Sequence, residues 1–238
     1  MKKLAAFGWM AILLLLSGCL YPDAKLVQNQ IPYENQLESV QKAVNDYRND
    51  TGGLLPIKNK DMKTPIYEKY PIDFSKIVPS FLPEPPGTSY ENGGIYQYVL
   101  IDAEKKPEVK LIDLRMAEEI RDLRIRLSAY TQSNRYPPYK KVYEAGVFSL
   151  DYKKLGLKEA PTAESPYTGN RLPLLIGSDG EIFADYRIDL QMKLKETGKH
   201  PKPGEDIRDI LVEDSVFVPA FSKPYTVNKK NEPVFMKN

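Results

Sequence analysis

His200 is the only histidine in the chain, so a Ser-His-Asp arrangement has no other base to use. It lies in GKHPKPG, among prolines and lysines, and such a loop is a poor holder for a base that must keep one orientation. A pair of carboxylates about 5 to 10 Å apart could hydrolyse a glycosidic bond, and Asp73, Asp113, Asp151 and Asp189 attract notice because they recur in similar contexts. Recurrence at one place in each copy favours helix caps and turn closures over catalysis. Asp46, Asn49 and Asp50 stand near a glycine without the ligand spacing of an EF-hand, and fit a helix C-terminus instead. The stretch GTSYENGG, Gly87 to Gly94, is rich in turn residues, and no Lys-Ser/Thr pair follows it to hold a phosphate. No GxGxxG or GxSxG box is present. The one cysteine, Cys19, leaves no disulfide and no thiolate zinc site. The residues therefore assign no catalytic site, no metal site and no cofactor, and the expectation is a protein that is not an enzyme.

Cys19 stands at the end of an export signal. MKK supplies a basic start, Leu4 to Leu16 a short apolar run, and Ser17-Gly18-Cys19 a small-residue junction. The run is shorter than the roughly 20 apolar residues of a spanning helix. The junction Leu16-Ser17-Gly18-Cys19 resembles the lipobox of bacterial lipoproteins. That resemblance implies a diacylglyceryl group on Cys19 and cleavage between Gly18 and Cys19, leaving the chain on the extracytoplasmic face of the cell membrane. Each buried methylene of such an anchor contributes about 0.8 kcal/mol, so the folded part need not touch lipid.

Cleavage would remove Lys2 and Lys3, bringing Lys plus Arg from 34 to 32 against 32 Asp plus Glu. A balanced chain has no basic footprint for nucleic acid. What remains is long enough for one large domain or two small ones.

The elements that must position any site read as helices followed by long loops and hairpins. Leu37, Val40, Val44 and Tyr47 make one helical stripe, with Asn35 and Glu38 as a cap pair and Gly52 or Gly53 as the stop. Met116, Ile120, Leu123, Leu127 and Tyr130 make a second, over Leu114 to Gln132. Ile95 to Asp102 and Val109 to Ile112 read as paired strands, as do Leu172 to Gly177 and Glu181 to Tyr186 around Asp179-Gly180. The C-terminal NKKNEPVFMKN reads as an edge strand and a loose end. Proline reaches 20 residues and tyrosine 16; tyrosine suits recognition faces and half-buried strand starts alike, and Tyr90, Tyr167 and Tyr225 are the candidate ligand contacts.

IDLRM, Ile112 to Met116, returns as IDLQM, Ile188 to Met192. Around it Ile72-Asp73-Phe74 recurs as Leu150-Asp151-Tyr152, Tyr90 as Tyr167, and hairpin as hairpin. A shortened third copy comes after, with Val218-Pro219-Ala220-Phe221 echoing Val78-Pro79-Ser80-Phe81. Its helix falls between Asp185 and Glu196, where Ile188, Leu190, Met192 and Leu194 alternate nearer to strand period. The expected fold is α+β, tandem helix–loop–β-hairpin repeats, two full and one partial. Residues 1–18 are the signal peptide, 19–30 the lipidated cysteine and tether, 31–113 and 114–189 the two full units, and 190–238 the partial unit and tail. The unit is similar to the globular parts of type IV pilins and pseudopilins, and the whole chain resembles uncharacterised lipoproteins of spore-forming Gram-positive bacteria. The function expected is non-catalytic binding of an envelope protein or cell-wall component. The alternative is a solute-binding lipoprotein of an ABC transporter, which predicts βαβ units about a cleft between two lobes.

Overall fold

The computed structural model describes residues 33–144 and 146–236. The expected signal segment, the Gly18-Cys19 junction and the tether lie outside the described residues. Among the described residues no helix is long and apolar enough to cross a membrane.

Helix α1, Tyr33–Asp50, buries Val40, Ala43 and Val44 completely or nearly so. It starts before the expected Asn35 cap; Asn35 lies inside the first turn, where its carbonyl accepts from the Ser39 hydroxyl. Two long amides fasten α1 to later parts of the chain. The Gln36 side-chain carbonyl accepts from the Thr88 N–H and hydroxyl, and that of Gln41 accepts from the Val109 N–H at 2.7 Å. Strands β1, Tyr96–Ile101, and β2, Glu108–Asp113, pair antiparallel with Tyr96 opposite Asp113. The loop 87–94 closes over the start of β1 so tightly that a Cβ on Gly94 would stand 2.1 Å from the Thr88 carbonyl carbon.

The β1–β2 hairpin is buried on both faces. Tyr98, Leu100, Val109 and Leu111 face α1 in one core with Phe74, Ile77 and Phe217. Val99 and Ile112 face the other way, onto Val212, Val218 and Ala220. A strand covered on both sides has no reason to alternate polar with apolar, which is why YQYVLI reads as a nearly continuous apolar run.

Helix α2, Leu114–Asn134, buries the expected stripe of Met116, Ile120, Leu123 and Leu127. It packs on a five-stranded sheet built from β3 (Tyr139–Glu144), β4 (Val147–Leu150), β5 (Thr162–Glu164), β6 (Arg171–Gly177) and β7 (Ile182–Ala184). Strand β6 is the hub, antiparallel to β4, β5 and β7. The β6–β7 hairpin turns at the expected Asp179-Gly180. Strands β3 to β5 are additions to the expected elements: β3 is exposed along most of its length, so YKKVYE carries no burial pattern to read.

Helix α3 spans Arg187–Thr197, within about a residue or two of the helix expected between Asp185 and Glu196, despite the strand-like period of its apolar residues. Leu190 and Leu194 are buried four residues apart, as a helix requires, while Ile188 and Met192 are 47 % and 49 % exposed. The expected unit boundary at 189/190 falls inside this helix. Helix α4, Asp209–Val212, and the pair β8, Tyr225–Val227, and β9, Pro233–Phe235, complete the chain. They share one core with α2, α3 and the large sheet. The fold is α+β, and it has two main cores, one over residues 40–111 joined by Phe217 and one over residues 116–235.

Candidate functional site

Three Asp-x-Arg tripeptides adopt one geometry. Asp113 accepts from the Arg115 backbone N–H at 3.0 Å and pairs with its guanidinium through Nε and Nη2. Asp185 does the same with Arg187, and Asp206 with Arg208, the Nη2 contacts being 2.7 and 2.6 Å. The first carboxylate caps α2, the second precedes α3, and the third precedes α4. The structural counterpart of Asp113 is thus Asp185, one helical turn before the Asp189 that the IDLRM/IDLQM echo aligns with it.

The third of these staples borders a large cleft of about 990 Å³. One wall is α2, whose Ala117, Ile120, Arg121 and Arg124 follow helical spacing along one side. The floor is Ile182 and Phe183 of β7, and the far wall comes from Ile66, Glu68 and the segment Phe221–Pro224. Residues from both main units therefore meet here.

Arg208 anchors this wall. Its side chain is 7 % exposed and its guanidinium stacks 5.0 Å from the Tyr67 ring centre. Nη1 donates to the Ser222 hydroxyl at 3.2 Å. The Tyr67 hydroxyl donates to Asp209; burial first, then that acceptor, holds its pKa well above the usual phenol range. Glu68 accepts the Phe221 N–H at 2.9 Å. Burial pushes its carboxyl up, against the opposing pull of that N–H. The rim cations are held less firmly. Arg124 meets Glu181 at 3.2 Å and Arg121 meets Asp122 at 3.7 Å, all four side chains more than half exposed, whereas Lys223 pairs with Asp179.

A smaller hollow of about 360 Å³ lies beside Asp189, lined also by Glu34, Tyr167, Lys193 and Phe217. Asp189 is 1 % exposed, and both its oxygens are taken, one by the Ser165 hydroxyl at 2.7 Å and one by the Thr168 hydroxyl at 2.6 Å. It buckles the 165–168 turn to α3, as a structural carboxylate would. Burial raises its pKa above the ordinary 3.8 against the pull of the two hydroxyls. The folded chain then binds this proton more tightly than the unfolded chain does, so stability falls as pH rises from about 4 through the folded value. Asp189→Asn should flatten that part of the curve, leaving the slope of the same sign that Glu68 contributes. Urea midpoints measured across this range check it, and an unaltered slope would place the proton elsewhere.

The expected tyrosines scatter. Tyr90 is 67 % exposed on the loop closing β1, and Tyr167 is half-buried at the smaller hollow, edge-on to Tyr186. Tyr225 is fully buried; its hydroxyl donates to the Ala184 carbonyl and accepts from the Tyr186 N–H, which removes it as a ligand contact. None lines the large cleft. Asp73 caps a short turn through Ser75, in keeping with the structural role expected of it, and His200 is exposed in its loop. No group of three or more His, Cys, Asp or Glu side chains among the described residues could hold a metal. Arg121, Arg124, Glu68 and Arg208 are absent from the sequence-based candidates; Asp-x-Arg occurs five times in the sequence, at 46–48, 113–115, 122–124, 185–187 and 206–208, and only three of these form the staple, so the motif alone could not have pointed to this wall.

The fold defines an α+β protein with a cleft between the 63–68 segment, α2, β7 and residues 221–224. Residues 33–113, the part built on the first core, match the family model described as the YphF family N-terminal domain. No curated protein and no solved structure matches the chain. The likeness to pilin globular parts rests on its short motifs alone.

Proposed function

We propose that this chain is a non-catalytic binding module, anchored through acyl chains on Cys19 to the extracytoplasmic face of the cell membrane, which engages an envelope protein or wall component through the large cleft. The observation that carries the binding reading is the cleft itself, where Ile66 stands 61 % exposed beside a floor of Ile182 and Phe183, with charged side chains around it. A buried apolar centre with a polar rim is the ordinary anatomy of a recognition surface. The Leu16-Ser17-Gly18-Cys19 junction supports the anchor. A chain duplicated in helix–loop–hairpin units, with a shortened third, belongs to the same reading.

A solute receptor for a permease is the second reading, favoured by a cavity walled by segments far apart in the chain. Its weakness is architectural: the paired strands here are antiparallel, whereas such receptors are built of βαβ crossovers. In-cell crosslinking of the native protein followed by mass spectrometry decides. One abundant envelope protein on the crosslink is the expected result, and a permease there would promote the second reading. A hydrolytic activity abolished by a single carboxylate substitution would overturn both.

A further inference from the structure

We infer that the large cleft takes an acidic polypeptide segment of a partner, with an apolar side chain seated against Ile66 and Phe221 and a carboxylate beside it on Arg121 and Arg124. This rests on the binding-module reading above. Ile66 stands 61 % exposed at the cleft, an aliphatic surface that water solvates at a cost and a partner's side chain would cover. Arg121 and Arg124 are three residues apart on α2, so they are neighbours on one helix side. Their present partners hold them weakly: Arg121 and Asp122 are 66 % and 67 % exposed, Arg124 and Glu181 56 % and 65 %. Exposed pairs of this kind contribute little, so exchanging them for a partner's carboxylate, which a guanidinium can grip with two parallel bonds, costs little. Lys63 lines the same cleft and makes no ion pair among the described residues.

The acids of the cleft are fewer and, apart from Glu181, less available. Asp206 is occupied by Arg208, and Glu68 accepts the Phe221 N–H while burial favours its neutral form. A cationic segment would find Glu181 alone well exposed, 65 % and shared with Arg124, and an acidic one would find three accessible cations, Lys63, Arg121 and Arg124. A small anion is a worse fit, since the one deeply buried guanidinium, Arg208, is already satisfied by Asp206 and Ser222. Charges exposed around an apolar floor suit a polypeptide that supplies its own rim.

The test is fluorescence anisotropy on the full-length chain in detergent, with short synthetic peptides in which Leu and Phe alternate with Glu, Lys or Ser, and with decanoate. The Glu peptide is expected to bind and the Lys peptide not to. Arg121→Ala with Arg124→Ala should weaken the Glu peptide by at least about tenfold. Ile66→Asp, at an exposed position that leaves the cores intact, should weaken it comparably, and Arg48→Ala on α1 should change nothing; melting curves confirm that each variant folds. Equal binding of the Lys peptide, or insensitivity to the cleft variants, overturns the inference. Binding of decanoate with no peptide bound overturns it in favour of a small amphipathic anion. If no peptide binds, and crosslinking in cells to an envelope protein is lost with the cleft variants, the acidic-segment inference fails and the binding-module reading stands; crosslinking that survives them overturns the inference and moves the binding module's contact to another face. Absence of any crosslinked envelope component defeats that reading itself.

Discussion

Asp206→Ala is expected to destabilise the protein by about 3 to 5 kcal/mol, the cost of leaving a buried charge without its partner. Arg208 is the buried member of this pair, its side chain 7 % exposed against 36 % for Asp206. Removing the carboxylate strands a guanidinium between the Tyr67 ring and the 221–224 wall, with only Ser222 left to accept from it. For a chain of this size each kcal/mol shifts the melting temperature by roughly 2 to 4 °C, so a fall of about 6 °C or more should be seen. The double variant Asp206→Ala, Arg208→Met should recover much of the loss, because an apolar chain of similar length has no charge to strand. Lys42→Ala is the contrast. There both members of the pair with Asp46 are exposed, 79 % and 43 %, so no charge is stranded in the interior and the loss should be much smaller. Thermal and urea unfolding of the three variants measures this order. If Asp206→Ala matched Lys42→Ala, the buried staple would have no special weight.

A fragment of residues 33–113, the part that matches the family model, should show no cooperative unfolding transition by itself. Its β1–β2 hairpin is covered on one face by α1 but on the other by residues 212–220. The outer edge of β2 is paired as well: the Leu111 N–H donates to the Val216 carbonyl at 2.8 Å, and the Val218 N–H donates back to the Leu111 carbonyl at 3.1 Å. Lys110, 6 % exposed, donates to the Val212 and Ser215 carbonyls. The fragment loses all of these and exposes Val99 and Ile112 to water, along with the side of Leu111 that Phe217 covers. A hairpin and one helix seldom hold together with half their contacts removed. The expected behaviour is helical far-ultraviolet dichroism without fixed aromatic signals, and binding of a hydrophobic dye. Adding a peptide of residues 206–224 should restore a transition. A sharp melt of the fragment alone would show that the unit recognised in sequence is also a folding unit.

What the sequence determined by itself was local. The stripe Met116, Ile120, Leu123 and Leu127 is a helical period, and the same four residues are buried in α2. Asp179-Gly180 sets a hairpin wherever it is placed, because the turn geometry resides in those residues, and β6 and β7 flank it. The α+β class comes from such elements. Tertiary structure decided the rest where a residue's environment comes from distant segments. Asp189 is buried and Ile188 exposed in α3 because Ser165 and Thr168 supply hydroxyls to that carboxylate, and no periodicity within IDLQM encodes this. Tyr90, Tyr167 and Tyr225 occupy echoing positions in the sequence, yet lie on a surface, at a hollow and in a core. The cleft draws its walls from Ile66, α2, β7 and Phe221–Pro224, segments with no common pattern. They meet because the β1–β2 hairpin needs residues 212–220 to cover its second side, and that requirement brings the end of the chain back onto its beginning.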